Sequence, residues 1–120
     1  MSWIVIGTLV LSVTGQALTF QHLGSEPSAT VYCPGPRKAL NTCQAVQSLS
    51  RVSEKGIEPD AFRGGKNPGS VLCKLALHGQ IELATDPQGN ELSLCRFPDG
   101  SFASTGSLVA WARANDSQRR

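Results

Sequence analysis

The chain has 120 residues, enough for one domain or for one small domain behind a processed leader. Charged residues make up 17% of it and the net charge of +2 is spread along its length, so no nucleic-acid-binding surface stands out. Twelve glycines, seven prolines and an aromatic content of only 6% predict a turn-rich fold with a thin core.

The N-terminal segment has the features of a signal peptide. No Asp, Glu, Lys or Arg precedes Glu26, and the apolar run Trp3–Val13 is shorter than the roughly 20 residues that span a bilayer. Small residues at Gly15 and Ala17 suit signal peptidase, so we predict a signal peptide over 1–17. The missing cation ahead of the run leaves two alternatives, a buried core strand or helix and an uncut anchor.

The four cysteines all follow the predicted leader, and they are Cys33, Cys43, Cys73 and Cys95. In an oxidising compartment an even number predicts two disulfides, for which three pairings exist. Their spacing lacks the close pairs of a zinc site, and neither histidine has finger spacing. We therefore expect a periplasmic or secreted protein with no metal and no cofactor.

The mature chain begins with a predicted N-terminal unit over 18–56, which holds the first two cysteines. Its first residues, Leu18–Ala29, are polar and mixed and are expected to be flexible. Apolar residues recur with helical period in Arg37–Val52, which predicts a helix. Residues 57–66, rich in glycine, proline and charge, are expected to form a linker.

A second unit is predicted over 67–114, and it opens with a helix. Asn67 is a preferred N-cap residue and Pro68 is tolerated at the first helical position. Apolar residues at helical spacing extend this helix over Gly69–His78, and Gly79 is placed to end it.

Two alternating segments then predict a β-hairpin, Gln80–Thr85 and Glu91–Phe97, joined by a turn at Asp86–Asn90. The phase of the second strand stays open: either Leu92 and Leu94, or Ser93, Cys95 and Phe97, face the core.

The remaining residues complete the predicted fold. Phe102–Ala114 is expected to be a third strand or a short helix, and 115–120 a frayed tail. The predicted fold class is α+β: a small disulfide-stabilised domain in which a helix is followed by an antiparallel β-hairpin or three-stranded sheet, behind an N-terminal signal segment.

The string from Asn67 to Ser101, NPGSVLCKLALHGQIELATDPQGNELSLCRFPDGS, has a recognisable pattern. It resembles the small bacterial domain of unknown function that carries a hemolysin label (DUF333-like), whose pattern opens N-P-A-S-V-x-C and reaches a Cys, a P-D-G-S turn and a Trp. The resemblance covers 67–101, and extends to 111 if Trp111 is the family tryptophan. It implies an exported protein with a helix, a small antiparallel sheet and a Cys73–Cys95 bond.

The chain also departs from that pattern. Family members carry a further cysteine soon after the P-D-G-S turn and another near the C-terminus, whereas Ala103 follows the turn here and no cysteine follows Cys95. Residues 104–107 resemble an insertion before the tryptophan. We expect a Cys33–Cys43 bond to take the place of the second family disulfide.

Candidate catalytic groups do not combine into a mechanism. Cys73 and His78 lie on different faces of the predicted helix, and Ser70 lacks the second glycine of a nucleophile elbow. Glu82 and Glu91 can meet across the hairpin, but facing carboxylates on a solvated sheet mostly repel each other. We therefore expect no enzyme activity.

The predicted function is that of an exported, non-catalytic accessory or binding protein. We expect it to act as a monomer on an envelope or secreted protein. We expect it to bind no nucleic acid, and to make no membrane contact once the leader is removed. Phe97, Phe102 and Trp111 are the candidate binding surface, with core packing as their alternative role. A membrane-active role, suggested only by the family's label, and a peptidase-inhibitor-like role for the turn at 85–90 are the alternatives.

Overall fold

A computed structural model describes residues 4–35 and 42–118. Within them, six strands form a closed antiparallel barrel in the order β1-β2-β3-β6-β5-β4. The elements are β1 (Val5–Val13), β2 (Gln16–Leu23), β3 (Ala29–Tyr32), α1 (Gln44–Leu49), a 3₁₀ turn (Pro59–Phe62), α2 (Pro68–Val71), a π-helical turn (Leu72–Ala76), β4 (Gln80–Thr85), β5 (Glu91–Arg96), β6 (Phe102–Ser104) and α3 (Thr105–Gln118). The predicted helix with a hairpin or three-stranded sheet is therefore wrong.

The barrel consists of two three-stranded meanders, β1-β2-β3 and β4-β5-β6, which meet at two short seams. The β3–β6 seam pairs Val31 with Ala103 and Tyr32 with Phe102. The β1–β4 seam pairs Ser12 with Thr85 and Val13 with Ala84. Each seam has only two residue pairs, and each joins strands that are about 70 residues apart in the sequence. Closure of the barrel therefore depends on a few long-range contacts.

The N-terminal residues account for much of the error in the predicted fold. The segment 5–13 of the predicted leader forms β1, where Leu11 is fully buried and Val13 nearly so. The predicted flexible stretch Leu18–Ala29 contributes most of β2, so that prediction is wrong. Signal-peptide processing stays a prediction, and a cut before Leu18 would remove all of β1 and the first two residues of β2.

The C-terminal strands lie close to their predicted positions. β4 occupies the predicted residues 80–85 and β5 ends one residue before the predicted end. Both alternatives for the tail occur, since β6 leads directly into α3. That helix continues to Gln118, so the predicted fraying of 115–120 is wrong for residues 115–118.

Strand β5 is buried on both faces, which explains why its phase was ambiguous. Leu94 points into the barrel interior, a core that contains Leu11, Val13, Phe20, Ala84, Leu94 and Phe102. Cys95 lies on the opposite face, in a larger core where the strands pack against the helices; we call this core the helix layer. Its largest fully buried members are Leu23, Val31, Leu49, Val52, Leu72 and Leu108.

The helical predictions have mixed outcomes. Helix α1 is shorter than the predicted helix over Arg37–Val52, because it begins at Gln44 and ends at Leu49. Residues 36–41 lie outside the described part of the chain. The predicted linker contains the 3₁₀ turn. The N-cap is confirmed, because Asn67 Oδ1 accepts a hydrogen bond of 3.1 Å from the Ser70 backbone N–H.

Two disulfides link the chain, Cys33–Cys43 and Cys73–Cys95. The second joins the π-helical turn to β5, and both of its cysteines are fully buried. Gly79 passes directly against this bond, where a Cβ atom would overlap Cys95 Sγ and lie 3.0 Å from Cys73 Sγ. Only glycine therefore fits at that position while the disulfide is closed.

Candidate functional site

A cleft of about 220 Å³ opens at one end of the barrel, where the β1–β2 turn meets the ends of the other strands. We call it the barrel-mouth cleft. It is lined by Val13, Thr14, Gln16, Leu18, Tyr32, Pro34, Glu82, Arg96, Gly100 and Phe102. Both meanders contribute to this wall, so the cleft exists only when the barrel is closed.

An ion pair crosses the cleft between neighbouring strands. In the β4–β5 register Gln80 lies opposite Arg96 and Glu82 opposite Leu94, which makes Glu82 and Arg96 diagonal neighbours on one face. Arg96 Nη1 donates a hydrogen bond of 3.1 Å to Glu82 Oε1. The Glu82 side chain is 16% exposed and that of Arg96 is 50% exposed, so the carboxylate lies deeper than the guanidinium.

The ion pair contributes little to stability in this position. Pairs that reach solvent are worth at most about 1 kcal/mol, because water competes for both charges. A guanidinium carries five N–H donors in a planar fork, and half of the Arg96 side chain stays accessible beside the carboxylate. The arrangement therefore presents adjacent donors and acceptors at fixed positions.

Tyr32 and Phe102 contribute aromatic rings to the apolar part of the cleft, beside Val13, Leu18 and Pro34. Phe20, Tyr32 and Phe102 pack together, with centroid separations of 5.5 Å for Phe20–Tyr32 and 6.1 Å for each of the other two pairs. Tyr32 and Phe102 also face each other across the β3–β6 seam. Mutual packing holds these rings in place, so the apolar wall is formed before any ligand arrives.

A second cleft of about 310 Å³ adjoins the first, and Arg96 borders both. Its other lining residues are His78, Gln80, Phe97 and Pro98. We call it the outer cleft. A ligand bound at the barrel mouth can thus extend past the guanidinium without leaving the protein surface.

The residues predicted as a binding surface do not form one patch. Phe97 is 3% exposed and packs in the helix layer, whereas Phe102 is 6% exposed and lies in the barrel interior, on the other side of the sheet. Trp111 is half-buried against the helix layer. Phe97 and Phe102 nevertheless each reach the edge of one cleft.

The Glu82–Arg96 ion pair was not predicted. The pairing that the sequence suggested for Glu82 was with Glu91, but the register places Glu91 opposite Thr85, at the far end of the hairpin from Arg96. The strand phase that puts Leu94 inside, one of the two left open, also puts Arg96 on the face of Glu82. The strand phase was therefore the feature of the sequence from which the ion pair could have been found. The burial of Leu94 in the barrel interior shows which of the two phases is correct.

The P-D-G-S turn has a structural role in this protein. Helix α1 has no side-chain cap from its own N-cap residue Cys43. Instead, the Gln44 N–H donates to Asp99 Oδ2 at 2.7 Å and the Ala45 N–H donates to Ser101 Oγ at 2.9 Å. The turn thus caps a helix that lies more than 50 residues earlier in the chain.

Ionisation of Asp99 is coupled to this cap. Partial burial acts to raise the pKa of its carboxyl, but hydrogen bonds from Ser101 and from the Gln44 N–H outweigh burial and leave the pKa below its ordinary value. The carboxylate form is therefore the one that holds α1 to the turn.

The turn at 85–90 is also organised by one carboxylate. Asp86 Oδ1 accepts hydrogen bonds from the N–H groups of Gln88 and Asn90, at 2.9 and 2.8 Å. The Asn90 N–H is the main cause of the lowered pKa of Asp86. These contacts stiffen an exposed turn, as Asx turns do.

Within residues 4–35 and 42–118, no three His, Cys, Asp or Glu side chains are grouped so that they could hold a metal ion. No helix in the described part of the chain is both long and apolar enough to cross a membrane.

Comparison with known families gives one finding. Residues 64–109 match the family described as "Domain of unknown function (DUF333)". This span contains α2, the strands β4 to β6, the Cys73–Cys95 bond and the P-D-G-S turn. It therefore supplies half of the barrel strands, Glu82 and Arg96, while β1 to β3 lie outside it. Neither the curated proteins nor the solved structures contain a match to this chain.

Proposed function

We propose that this protein is an exported, non-catalytic binding protein that takes a small, uncharged polyhydroxylated ligand, of the size of one sugar unit, in the barrel-mouth cleft. One observation carries the proposal: the Glu82–Arg96 pair lies beside the preformed rings of Tyr32 and Phe102 in the same cleft.

Charge favours an uncharged ligand. The Glu82–Arg96 pair carries no net charge. An anion attracted by Arg96 is therefore repelled by Glu82, and a cation attracted by Glu82 is repelled by Arg96. A ligand with neighbouring hydroxyl groups can donate to the carboxylate and accept from the guanidinium at once. Its less polar ring face can then lie against Tyr32 or Phe102.

Size limits the ligand further. The cleft of about 220 Å³ lies below the roughly 300–1,000 Å³ typical of sites for drug-sized molecules. It therefore suits one ring rather than a fused or extended aromatic system. A longer chain of such rings would continue into the outer cleft across Arg96.

Export is supported by the cysteines. Both disulfides are compatible with an oxidising compartment, and the described residues include no free cysteine. An envelope partner that carries sugar groups would be accessible to a protein in that compartment.

The ligand is tested by titrating ¹⁵N-labelled protein with glucose and with N-acetylglucosamine, using sodium acetate and methylammonium chloride as charged probes. We expect the sugars to shift the amide signals of Tyr32, Glu82, Arg96 and Phe102. Glu82→Gln should weaken this binding about tenfold, because a charge-assisted hydrogen bond contributes about 1.5–3 kcal/mol. Glu91→Gln, on the same hairpin and outside the cleft, is the matched control and should leave binding unchanged.

The titration can also contradict the proposal. One contradicting outcome is that acetate or methylammonium binds more tightly than both sugars. The other is that no amide signal of a cleft residue shifts at a sugar concentration of about 50 mM, which corresponds to an affinity too weak to assign. Either outcome would show that the cleft does not recognise hydroxyl groups.

The N-terminus of the exported protein decides a related question. The proposed binding form needs β1 and the β1–β2 turn, since Val13 and Thr14 line the cleft. Intact-mass measurement of the exported protein should therefore find residues 5–13 retained. A mature start near Leu18 would support the predicted signal peptide and exclude the barrel-mouth cleft as the site.

A further inference from the structure

A groove of about 430 Å³ lies beside α2, and it shares no residue with the barrel-mouth or outer cleft. Its apolar surface comes from Ala61, Val71 and Leu75, and its polar surface includes Lys66 and Lys74. We call it the α2 groove. It lies between the 3₁₀ turn and the helical segment that begins at Pro68.

We propose that the α2 groove docks an acidic peptide segment of a partner protein, with one apolar side chain of that segment lying between the two lysines. This interaction is separate from the ligand site at the barrel mouth and does not depend on it.

The apolar surface is arranged to receive a side chain. Val71 and Leu75 are four residues apart and lie on one side of the helical segment, while Ala61 faces them from the 3₁₀ turn. Val71 is 8% exposed, whereas Leu75 is 54% exposed and is one of five large apolar side chains that are exposed in the described part of the chain. An incoming apolar group would cover Leu75 and remove apolar surface of both partners from water, which favours binding.

The charges around the groove favour an acidic partner. Lys66 and Lys74 both line it and both are exposed, and no Asp or Glu is among its lining residues. The nearby carboxylate of Asp60 is engaged by Arg63, whose Nε lies 3.1 Å from Asp60 Oδ1. The groove therefore presents two exposed lysines and no carboxylate among its lining residues, which favours a partner that carries Asp or Glu.

The shape favours a peptide over a lipid surface. A flat membrane contacts protruding side chains, whereas Ala61 is only partly exposed and Val71 is buried, so the apolar lining is less accessible to a flat surface than the two exposed lysines. An extended peptide can place one side chain into such a groove and keep its flanking carboxylates near the lysines.

The test uses the full-length oxidised protein and a displayed pool of random ten-residue peptides. We expect the enriched sequences to contain Asp or Glu on both sides of a leucine, isoleucine or phenylalanine. A synthetic peptide of that composition should bind at least tenfold more weakly to Lys66→Glu/Lys74→Glu, and binding should weaken as salt is raised.

Two variants separate the groove from net charge and from packing. Lys55→Glu/Arg113→Glu makes the same change of net charge at exposed positions outside the groove, and should bind like the unmodified protein. Leu75→Ser removes only the exposed apolar contact and should weaken binding several-fold without loss of melting temperature.

Three outcomes would overturn the proposal. These are enrichment of basic or uncharged peptides, equal weakening by the control pair of substitutions, and no enrichment over the Lys66→Glu/Lys74→Glu protein. Sedimentation with vesicles of phosphatidylglycerol that is lost in that variant would assign the groove to an anionic lipid surface and so also reject the peptide.

Discussion

The two seams that close the barrel have the same number of residue pairs but very different surroundings. At the β3–β6 seam, Val31 and Ala103 are fully buried under the helices, and the first disulfide and the cap on α1 lie close by. At the β1–β4 seam Val13 and Ala84 are also buried, but they face the barrel interior, and the nearby Val10 and Leu83 are 45% and 61% exposed. The β3–β6 seam is therefore covered by helices and reinforced by a disulfide and a helix cap, whereas the outer surface beside the β1–β4 seam reaches solvent.

The largest expected effect on the β1–β4 seam comes from deleting residues 1–17. The deletion removes β1 with its buried Leu11 and Val13, and leaves β2 and β4 with unpaired edges. We expect the cooperative unfolding transition to disappear and a dye for exposed apolar surface to bind. A truncated protein that melts like the full chain would show that the β1–β4 seam is dispensable.

A pair of neighbouring substitutions measures what β1 contributes to the core. Leu11 is fully buried in the barrel interior and Val10 faces solvent. Leu11→Ala should lower the free energy of unfolding by about 2–5 kcal/mol, whereas Val10→Ala should change it by less than about 0.5 kcal/mol. Urea titration of both variants gives the comparison, and equal effects would contradict the placement of β1.

Removing the Cys33–Cys43 bond weakens the reinforced seam. The bond closes a loop with a sequence separation of 10, and its loss by Cys33→Ala/Cys43→Ala should cost about 2–3 kcal/mol. The control Cys73→Ala/Cys95→Ala opens a loop with a separation of 22 inside the helix layer and should cost more. Thermal melts of both oxidised variants rank the two bonds; the reverse order would place the main reinforcement at the β3–β6 seam.

The smallest effect concerns the cap beside the same seam. Because the pKa of Asp99 is lowered in the folded protein, its ionised form stabilises the fold above the unfolded pKa, near 4, and this stability is lost as pH falls through the folded value. Asp99→Asn keeps one acceptor oxygen and should lose about 1 kcal/mol at pH 7.

The acid limb of the stability curve supplies the check on that cap. The free energy of unfolding, measured from pH 6 to pH 2, should fall less steeply with decreasing pH in Asp99→Asn than in the unmodified chain. Parallel curves would mean that ionisation of Asp99 is not linked to folding.

The elements that could be predicted from the sequence are those whose pattern lies within one short segment. Strands β4 and β5 were predictable because alternation and the turn at Asp86 lie within one short stretch. Strand β1 was not, because Ile6 and Val10 in the strand and Ile4 just before it are apolar yet exposed, so the segment lacks the alternation of a half-buried strand. The same run length is typical of signal peptides.

The candidate site was less predictable than the strands. Its polar pair joins Glu82 and Arg96 within one hairpin, but its wall comes from Val13 and Tyr32 in the other meander. No local pattern links these residues, since their proximity results from ring closure of the barrel. Only the pairing of β1 with β4 and of β3 with β6 brings them together.

The contact of Gly79 with the second disulfide has a consequence for sequence variation among related proteins. A side chain at position 79 and a closed Cys73–Cys95 bond compete for one volume. Lineages that keep both cysteines should therefore keep glycine there. In lineages that replace both by smaller residues, the remaining tight contact of a Cβ atom is with the Arg96 carbonyl oxygen at 3.0 Å, and a small side chain requires only a slight backbone shift. Position 79 thus serves as a marker, readable from an alignment, of whether a homologue retains the oxidised core.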